Sequence, residues 1–519
     1  MNHNFICGVI EGFYGLPWSF TDRLDLFERL KKWGLNTYIY GPKDDYKHRS
    51  AWRDLYTETE ADLFRALIKN AIVNDVIFVY AISPGNDICY SNASDIAALK
   101  DKLDQVRSFG CEAFAVFFDD IYCTMSKKDK GNFASFADAH VYIANLIYEH
   151  LNRPAVFMFC PTEYCATRAV PSVENSPYLT VIGDKLHPDV KVLWTGPDVI
   201  SPFISVDSIL ALQEILKRKP IIWDNIHAND YDHSRIFLGP YQDRPIELAK
   251  VLSGVITNPN CEYRMNYVPI RTFSLWCQSQ DKDDVQYSAE SALTCAVEEW
   301  VKEFSVPSQL NIDQENIAVT MKDGIAKKDM TVTTEHLLLL IDIFYLPHKY
   351  GRHSIHLINM ARWLQVNSNM ITSTKETDKA TSPSVKMWFQ VFNEFNSLCQ
   401  GILLLYDYLT MCPNQAISRE LNSYIINLKK IFHILSLHIN SLGTEATKHS
   451  SDATDTVDSS DAVVYGGILG EVVKIIKEGS DGDLKSSQQQ VTACAIEVSL
   501  KNSDANMGAD IPTNATVIG

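Results

Sequence analysis

Eight short apolar runs, separated by stretches with a helical pattern, dominate the first part of this 519-residue chain. Such runs are typical of strands buried on both faces, as in a parallel sheet. Eight of them is the strand count of a (β/α)8 barrel, whereas doubly wound sheets usually have fewer strands and a glycine-rich loop after the first. The first run leads into EGFYG, which lacks GxGxxG. The sequence therefore predicts an α/β fold, a (β/α)8 TIM barrel with strands within residues 5–12, 36–42, 76–84, 113–120, 155–161, 190–197, 220–225 and 254–260.

The fourth run, AFAVFFDD, ends in the adjacent carboxylates of Asp119 and Asp120. Glycoside cleavage needs a proton donor to the leaving oxygen and a group that stabilises positive charge at the anomeric carbon. Adjacent carboxylates repel each other, so one becomes a useful acid while the other stays ionised. Successive strand side chains point to opposite faces, so both reach one site only where the strand ends, as here. On its own the pair is weakly specific, since a helix N-cap or a solvated loop would also explain it.

Polar side chains follow most of the other predicted strands as well. In a barrel, the C-terminal strand ends face one shared site. Lys43 could simply neutralise Asp44 or Asp45, and Trp223 and Tyr231 could equally be core or wall residues. Together, however, the strand ends form a carboxylate-rich cup with aromatic walls, which indicates a sugar site: Glu11, Gly12, Lys43, Asp44, Asp45, Asn86, Asp87, Asp119, Asp120, Tyr164, Thr195, residues 223–230 and Asn258.

The segment WDNIHANDYDH, residues 223–233, allows a second interpretation as a metal site of a barrel hydrolase. No second cluster of His and Asp follows another strand, so we expect no metal and no cofactor. Cys160 has no histidine in a recognisable Cys–His arrangement, and GxSxG is absent, which leaves acyl transfer with little support. The candidate metal ligands in the segment are Asp224, His227, Asp230, Asp232 and His233.

The pattern changes after the predicted barrel. We expect residues 1–309 to form the barrel domain, 310–333 a linker, and 334–445 a helical bundle with helical stretches at 335–366 and 385–442. Residues 446–519 contain much Ser, Asp and Thr and a single aromatic residue, so most of this acidic tail should be disordered. Within it, residues 466–479 are a candidate short helix that could dock back on the bundle.

Charge and cysteine usage restrict the partners and the compartment. The chain carries 47 Lys and Arg against 64 Asp and Glu, a formal charge of −17, which argues against nucleic acid or an anionic membrane as the main partner. No apolar run approaches the roughly 20 residues of a membrane span, and no secretory leader is recognisable. The 12 cysteines are scattered, without CxxC spacing. We therefore expect reduced thiols and a cytoplasmic and nuclear location.

Seven segments in order resemble glycoside hydrolase family 84. The resemblance covers residues 5–309 strongly and 334–445 more loosely. The seven together are far more specific than any one of them. They read GVIEGFYGLPW, YGPKDDYKHR, YAISPGNDI, FFDDI, FCPTEYC, VLWTGP and WDNIHANDYD.

The resemblance implies a retaining β-N-acetylglucosaminidase that acts on O-linked GlcNAc of Ser and Thr in nucleocytoplasmic proteins. In that mechanism the 2-acetamido oxygen of the substrate attacks the anomeric carbon and forms an oxazoline, so no enzyme nucleophile is needed. Asp119 would orient the acetamido N–H, and Asp120 would be the general acid and then the base.

The same resemblance implies roles for nine further residues. Sugar hydroxyls would be held from two sides, Asn225 and Tyr164 would contact the acetamido group or the intermediate, and aromatic residues and a cysteine would line the pocket. The predicted substrate-binding residues are Gly12, through its backbone, Lys43, Cys160, Tyr164, Trp223, Asn225, Asp230, Tyr231 and Asn258.

Two positions depart from the family pattern. Tyr122 stands where an acidic residue is expected, and the stretch ATRAV, which contains Arg168, stands where more aromatic character is expected. Both are expected outside the sugar-holding set, so they bear on peptide preference more than on catalysis.

The helical region resembles the family's stalk, which dimerises by swapping a helix, so we expect a homodimer; the alternative is a bundle that only packs on its own barrel. Three other functions stay open. One is a glycosidase for extracellular glycans, another a metal-dependent barrel hydrolase, and the third a non-catalytic GlcNAc-binding scaffold. The intact Asp119–Asp120 pair argues against the last.

Overall fold

The computed structural model describes residues 5–122, 125–280, 286–307, 331–374, 379, 381–443 and 466–478. They belong to two compact units. The first extends to Glu303 and also includes Tyr345–Lys349, and the second contains Phe304–Phe344 and the chain from Tyr350 onward. Residues 310–330 of the candidate linker and most of the acidic tail lie outside the described residues.

The first unit is a closed barrel of eight parallel strands in sequential order, as the sequence predicted. The barrel closes where β1 pairs with β8, with Ile6 opposite Gly254. Every other pairing is between strands that are consecutive in the chain, and Phe117 of β4 lies opposite Cys160 of β5. The strands are β1 Ile6–Glu11, β2 Thr37–Tyr40, β3 Ile77–Ile82, β4 Ala113–Phe117, β5 Phe157–Cys160, β6 Lys191–Trp194, β7 Ile221–Asp224 and β8 Gly254–Thr257.

The barrel is filled by buried apolar side chains from alternating strand positions, including Ile10, Ile39, Val79, Leu193 and Ile256. Helices follow the strands on the outside. The helices of this unit are α1 Phe20–Trp33, α2 Glu58–Val73, α3 Ala93–Ser108, α4 Lys127–Lys130, α5 Phe136–His150, α6 Pro177–Lys185, α7 Val206–Leu216, α8 Leu248–Val251, α9 Tyr267–Ser279 and α10 Ala289–Trp300.

The first helix shows how local sequence sets these elements. Ser19 caps α1: its side chain accepts from the backbone N–H of Asp22, and the Asp22 side chain accepts from the backbone N–H of Ser19. This reciprocal pair satisfies two of the N–H groups that a helix start leaves without intrahelical partners. The helix ends at Gly34, whose φ of 69° lies in the left-handed region that glycine adopts at little cost.

The second unit is helical, as expected, but both predicted helical stretches are interrupted. In the first stretch the helix ends at Ile343 and a new one begins at Arg352. Between them, Tyr345–Lys349 pack within the barrel unit. There the backbone N–H of Gly239 donates to the carbonyl of Tyr345 at 2.7 Å. The second is interrupted at residues 411–414. The helices are α11 Thr334–Ile343, α12 Arg352–Val366, α13 Asn369–Thr372, α14 Pro383–Thr410, α15 Gln415–Gly443 and α16 Gly467–Glu478.

The last helix, α16, lies within the region predicted as a low-complexity tail. It packs against α12 and α15 through the buried side chains of Ile468, Leu469, Val472, Ile475 and Ile476. Glu471 forms an ion pair with Arg362 of α12 at its edge. Among the helices that the structure describes, none combines the length and apolar character of a membrane span.

Candidate active site

The carboxyl ends of the barrel strands open on one cavity of about 270 Å³. The structure brings all eleven residues predicted for the site to the wall of this cavity, which supports their grouping and leaves their individual roles as predictions. They are Gly12, Lys43, Asp119, Asp120, Cys160, Tyr164, Trp223, Asn225, Asp230, Tyr231 and Asn258.

Asp119 is buried and forms an ion pair with Lys43. The Lys43 ammonium contacts Oδ2 of Asp119, while Oδ1 has no hydrogen-bond partner among the described residues. Burial alone would raise the pKa of Asp119, but the charge and hydrogen bond of Lys43 hold that pKa below its usual value. Asp119 is therefore an ionised carboxylate at neutral pH, with one oxygen available to accept a hydrogen bond.

Lys43 thus does not serve mainly to neutralise Asp44 or Asp45, the alternative that the sequence left open. Its ammonium lies 5.7 Å from the ring centroid of Phe117 and 5.6 Å from that of Trp223. Burial would lower the pKa of Lys43, and the neighbouring Asp119 carboxylate raises it above its usual value. Lys43 and Asp119 therefore both remain charged, with opposite signs, beside the aromatic rings of the pocket.

Asp120 is held from several directions. Its Oδ1 accepts a 2.8 Å hydrogen bond from the hydroxyl of Tyr164 and lies 3.1 Å from Nη2 of Arg168. Oδ2 accepts a longer contact of 3.5 Å from the hydroxyl of Tyr14. The backbone carbonyl accepts from Arg49 at 3.0 Å. With 32% of its side chain exposed, Asp120 reaches solvent more than Asp119 does.

The backbone explains how two consecutive carboxylates line one cavity. Asp120 has a φ of 49°, in the left-handed region that non-glycine residues seldom adopt and that Asp tolerates better than most. The alternation of a regular strand ends at Phe117, so both side chains can project on the same side. The sequence expectation that the strand would be ending at this point agrees with the structure.

A buried aromatic stack supports this turn from behind. The Phe118 ring lies 4.0 Å from the imidazole of His140, nearly parallel to it. His140 contacts the hydroxyls of Tyr90 and Tyr178 at 3.0 and 2.8 Å. Burial lowers the pKa of His140 to about 3, so the imidazole is neutral and acts as a packing and hydrogen-bonding group.

The opposite wall is a network around the side-chain oxygen of Asn225. That oxygen accepts from the indole N–H of Trp223 at 2.9 Å and from the amide of Asn258 at 3.0 Å. The Asn258 oxygen accepts in turn from the backbone N–H of Gly12 at 3.2 Å. These hydrogen bonds therefore connect the residues at the carboxyl ends of β1, β7 and β8.

Gly12 allows the indole of Trp223 to lie close to the backbone at position 12. A β-carbon at position 12 would lie 2.5 Å from Cζ2 of Trp223, well inside van der Waals contact. Only glycine therefore fits there without displacing the indole.

Asp230 and Tyr231 form the rim of the cavity. Oδ2 of Asp230 accepts from the backbone N–H of Tyr14 at 2.9 Å, and burial raises the pKa of Asp230 above its usual value. Tyr231 is 49% exposed and its ring stacks on that of Phe237, 6.2 Å away. It is therefore a wall residue at the mouth of the cavity, one of the two placements that the sequence allowed.

The candidate metal ligands are not gathered in one place. Of the five, only Asp230 lines the cavity. Both oxygens of Asp224 accept from the guanidinium of Arg244, at 2.8 and 2.7 Å. His227 contacts the carbonyl of Gly239 at 2.9 Å through Nε2. The segment thus uses these side chains to hold the loop.

The sequence analysis did not predict several contacts around the cavity. Arg168, expected outside the set that holds the sugar, contacts Asp120. Tyr14 and Arg49 are linked to each other at 2.6 Å and to Asp120. These residues lie on loops or a short helical turn, where strand periodicity gives no signal. Thr195 and Ala228, which belong to the predicted cup, also line the cavity, as do Val199 and Ile200, which were not predicted.

The barrel strands share one cavity, which is lined by an adjacent carboxylate pair, a lysine and aromatic side chains. These are the groups that a glycoside hydrolase uses. Residues 7–306 match the family model described as beta-N-acetylglucosaminidase. Protein O-GlcNAcase of Rattus norvegicus is 34% identical to this chain over an alignment that covers 92% of the chain and 70% of the relative. For Protein O-GlcNAcase of Mus musculus the identity is 33%, with the same coverage.

The chain belongs to the β-N-acetylglucosaminidase family and is a glycoside hydrolase. The resemblance to glycoside hydrolase family 84 is thereby confirmed. Among solved structures, a mutant O-GlcNAc hydrolase of Thermobaculum terrenum has the same fold, with a TM-score of 0.70 and 22% identity over 98% of this chain and 99% of that one.

Proposed function

We propose that this chain removes O-linked N-acetylglucosamine from Ser and Thr of proteins, with retention at the anomeric carbon and with the acetamido oxygen of the substrate as nucleophile. The names of the two mammalian relatives support the substrate. One observation carries the mechanism: buried, ionised Asp119, whose Oδ1 has no hydrogen-bond partner among the described residues, lines the same cavity as Asp120.

In the first step, Oδ1 of Asp119 accepts the hydrogen bond of the acetamido N–H, which makes the acetamido oxygen a better nucleophile. That oxygen bonds to the anomeric carbon as the bond to the leaving oxygen breaks. Asp120 transfers its proton to the leaving oxygen and becomes a carboxylate. The product is a protein hydroxyl and an oxazoline whose positive charge is stabilised by ionised Asp119.

In the second step, the Asp120 carboxylate takes a proton from water. The water oxygen bonds to the anomeric carbon from the face that the aglycone left, and the bond to the acetamido oxygen breaks. Two inversions give net retention. Asp120 ends protonated and ready for the next cycle, so one group serves as acid and then as base.

The remaining predicted residues fit sugar binding. Lys43, Asp230 and Asn258 offer the charged and amide groups that hydrogen-bond to hydroxyls. Tyr164 and Asn225 both line the cavity and would contact the acetamido group or the intermediate. The Trp223 indole, held by its N–H, gives the apolar face that a sugar ring packs on.

The substrate requirement provides a direct test. We expect hydrolysis of an aryl β-N-acetylglucosaminide, and release of GlcNAc from a peptide with β-O-linked GlcNAc on Ser. The corresponding aryl β-glucoside, which lacks the acetamido group, should be at least about 100-fold slower, because it has no internal nucleophile. Equal rates on both aryl glycosides would contradict participation of the acetamido oxygen, and an untouched peptide would contradict the proposed protein substrate.

For the whole chain we propose a barrel domain over residues 1–309, a linker over 310–333, and a stalk over 334–445 that forms a homodimer. Exposed apolar side chains on the second unit support the dimer; they include Met387, Phe389, Leu404 and Leu437. Size-exclusion chromatography with light scattering should give twice the chain mass of 58.6 kDa. A monomer at micromolar concentration would contradict the dimer.

We further propose a cytoplasmic and nuclear location. None of the ten cysteines that the structure describes takes part in a disulfide bond, which suits a reducing compartment. Fractionation of cells that express the full chain should recover it with cytosolic and nuclear markers. Recovery in the medium would contradict this location and favour extracellular glycans as substrates.

A further inference from the structure

Arg168 is an arginine beside the residue proposed as general acid. It ends a short helical turn, Ala166–Arg168, that follows β5. Nη2 of its guanidinium lies 3.1 Å from Oδ1 of Asp120, and its Cζ lies 4.8 Å from the ring centroid of Tyr164. The Arg168 side chain is 44% exposed, so it stands at the open side of the cavity.

The two oxygens of Asp120 therefore have different surroundings. Oδ1 receives the Tyr164 hydroxyl at 2.8 Å and the Arg168 cation at 3.1 Å. Among the described residues, the hydrogen bond to Oδ2 is the longer one of 3.5 Å from the hydroxyl of Tyr14. Electropositive hydrogens around Oδ1 concentrate negative charge there and oppose a proton on that atom. A proton on Asp120 is therefore favoured on Oδ2.

We propose that Arg168 is a positioning residue for the proposed reaction: together with Tyr164 it occupies Oδ1 of Asp120 and so places the transferable proton on Oδ2. This inference rests on the proposed function. In the first step the proton leaves Oδ2 for the leaving oxygen as the glycosidic bond breaks. In the second, the same oxygen takes a proton from water. Arg168 keeps one oxygen of the carboxyl group fixed while the other exchanges the proton.

Arg49 and Arg168 contact different parts of Asp120. Arg49 donates to the backbone carbonyl of Asp120 at 3.0 Å and to the hydroxyl of Tyr14 at 2.6 Å, so it fixes the turn. Arg168 acts on the carboxyl group itself. Other charged or titratable side chains also face Asp120 or lie beside it: Tyr14, Arg49, Asp119, Cys160 and Tyr164.

The role of Arg168 gives the proposal a leaving-group signature. A substrate with a poor leaving group needs the proton from Oδ2 of Asp120, whereas an activated aryl leaving group departs without much help from an acid. Removal of Arg168 should therefore slow hydrolysis of an alkyl glycoside more than hydrolysis of an aryl one.

The test compares wild type, Arg168→Gln and Arg168→Lys on an alkyl β-N-acetylglucosaminide, whose poor leaving group needs the acid, and on an aryl one with a strongly acidic phenol. For Arg168→Gln we expect kcat lower by about 5- to 20-fold on the alkyl glycoside and little changed on the aryl one. Arg168→Lys should restore most of the rate on the alkyl glycoside, because it keeps the charge. Arg65→Gln is the matched control: Arg65 is 41% exposed and paired with Asp62 on α2.

The outcomes separate the two proposals. An active wild type whose rate on the alkyl glycoside is unchanged in Arg168→Gln overturns the role of Arg168 alone. An equal loss of kcat on both glycosides, or a loss without recovery in Arg168→Lys, assigns a merely structural role and also overturns it. A wild type that does not hydrolyse any β-N-acetylglucosaminide overturns the proposed function and this inference with it.

Discussion

The hydroxyl of Tyr164 donates a 2.8 Å hydrogen bond to Oδ1 of Asp120, and this contact joins the ends of two neighbouring strands. Asp120 follows β4 and Tyr164 follows β5, which pair up to Phe117 and Cys160. The sheet register therefore determines which tyrosine reaches the carboxyl group. Burial and the Asp120 charge raise the pKa of Tyr164 well above its usual value, so the hydroxyl stays a donor at any pH at which the enzyme works.

Replacement of Tyr164 by Phe should lower kcat by about tenfold to a hundredfold, because a hydrogen bond to a charged group contributes about 1.5–3 kcal/mol. The thermal midpoint should change little, since the ring still packs. Steady-state kinetics and a thermal melt measure both quantities. Tyr142→Phe, on the outer helix α5, is the control and should match wild type. A wild-type kcat in Tyr164→Phe would contradict a catalytic contribution of the hydrogen bond from Tyr164 to Oδ1 of Asp120.

Replacement of Lys43 by Met should move the acid limb of the kcat/KM profile to higher pH. In the folded protein Lys43 holds the pKa of Asp119 below its usual value, so Asp119 stays ionised as the pH falls. Without the Lys43 ammonium, burial raises the pKa of Asp119, so Asp119 becomes protonated at a higher pH than in wild type. A pH profile from acid to neutral tests this. Lys47→Met removes a lysine of the same loop, paired with Glu60, and should leave the limb in place.

Replacement of Gly12 by Ala should weaken sugar binding and destabilise the fold. The new methyl group would have to displace the Trp223 indole, whose Cζ2 lies 2.5 Å from the ideal β-carbon position. Overpacking of this kind costs about 1–3 kcal/mol. We expect a higher KM and a lower urea midpoint. Gly131→Ala is the control, because its β-carbon would meet only one backbone oxygen at 3.5 Å. Wild-type KM in Gly12→Ala would contradict the close packing.

Replacement of Asp224 by Asn should destabilise the barrel by about 3–5 kcal/mol, because the buried Arg244 charge would lose its counterion. Both side chains are 1% exposed. Urea unfolding followed by tryptophan fluorescence measures the change. Glu58→Gln, which removes an exposed partner of Arg65, should leave the urea midpoint unchanged. An Asp224→Asn midpoint equal to wild type would contradict a structural role for this ion pair.

Hydrophobic pattern was enough to predict the barrel. Eight short apolar runs determined the number and order of the strands, and the residues that follow them were predicted to share one cavity. Asp119 and Asn258, far apart in sequence, both line that cavity, as expected. The pattern could not show which partner each side chain selects: Lys43 was considered as a partner of Asp44 or Asp45 and contacts Asp119.

What the sequence could not show lies in the loops. The contact of Arg168 with Asp120 was not predicted, because nothing in ATRAV indicates that its short helical turn brings the guanidinium to Asp120. The break after Ile343 was missed although Pro347 and Gly351 interrupt the helical pattern. That Tyr345–Lys349 belong to the barrel unit is revealed by the tertiary structure.

The roles of the carboxylate pair are the central claim, and two leaving groups separate them most directly. We would measure kcat/KM of wild type, Asp119→Asn and Asp120→Asn on an aryl β-N-acetylglucosaminide with a strongly acidic phenol and on an alkyl β-N-acetylglucosaminide. Asp189→Asn, at the opposite end of the barrel, serves as the control. Asp120→Asn should lose about 10²- to 10⁴-fold on the alkyl glycoside and little on the aryl one, which needs no acid. Asp119→Asn should lose heavily on both, because both need the acetamido nucleophile. Equal losses for the two variants on both substrates, or a wild-type rate of either variant on the alkyl glycoside, would contradict the account.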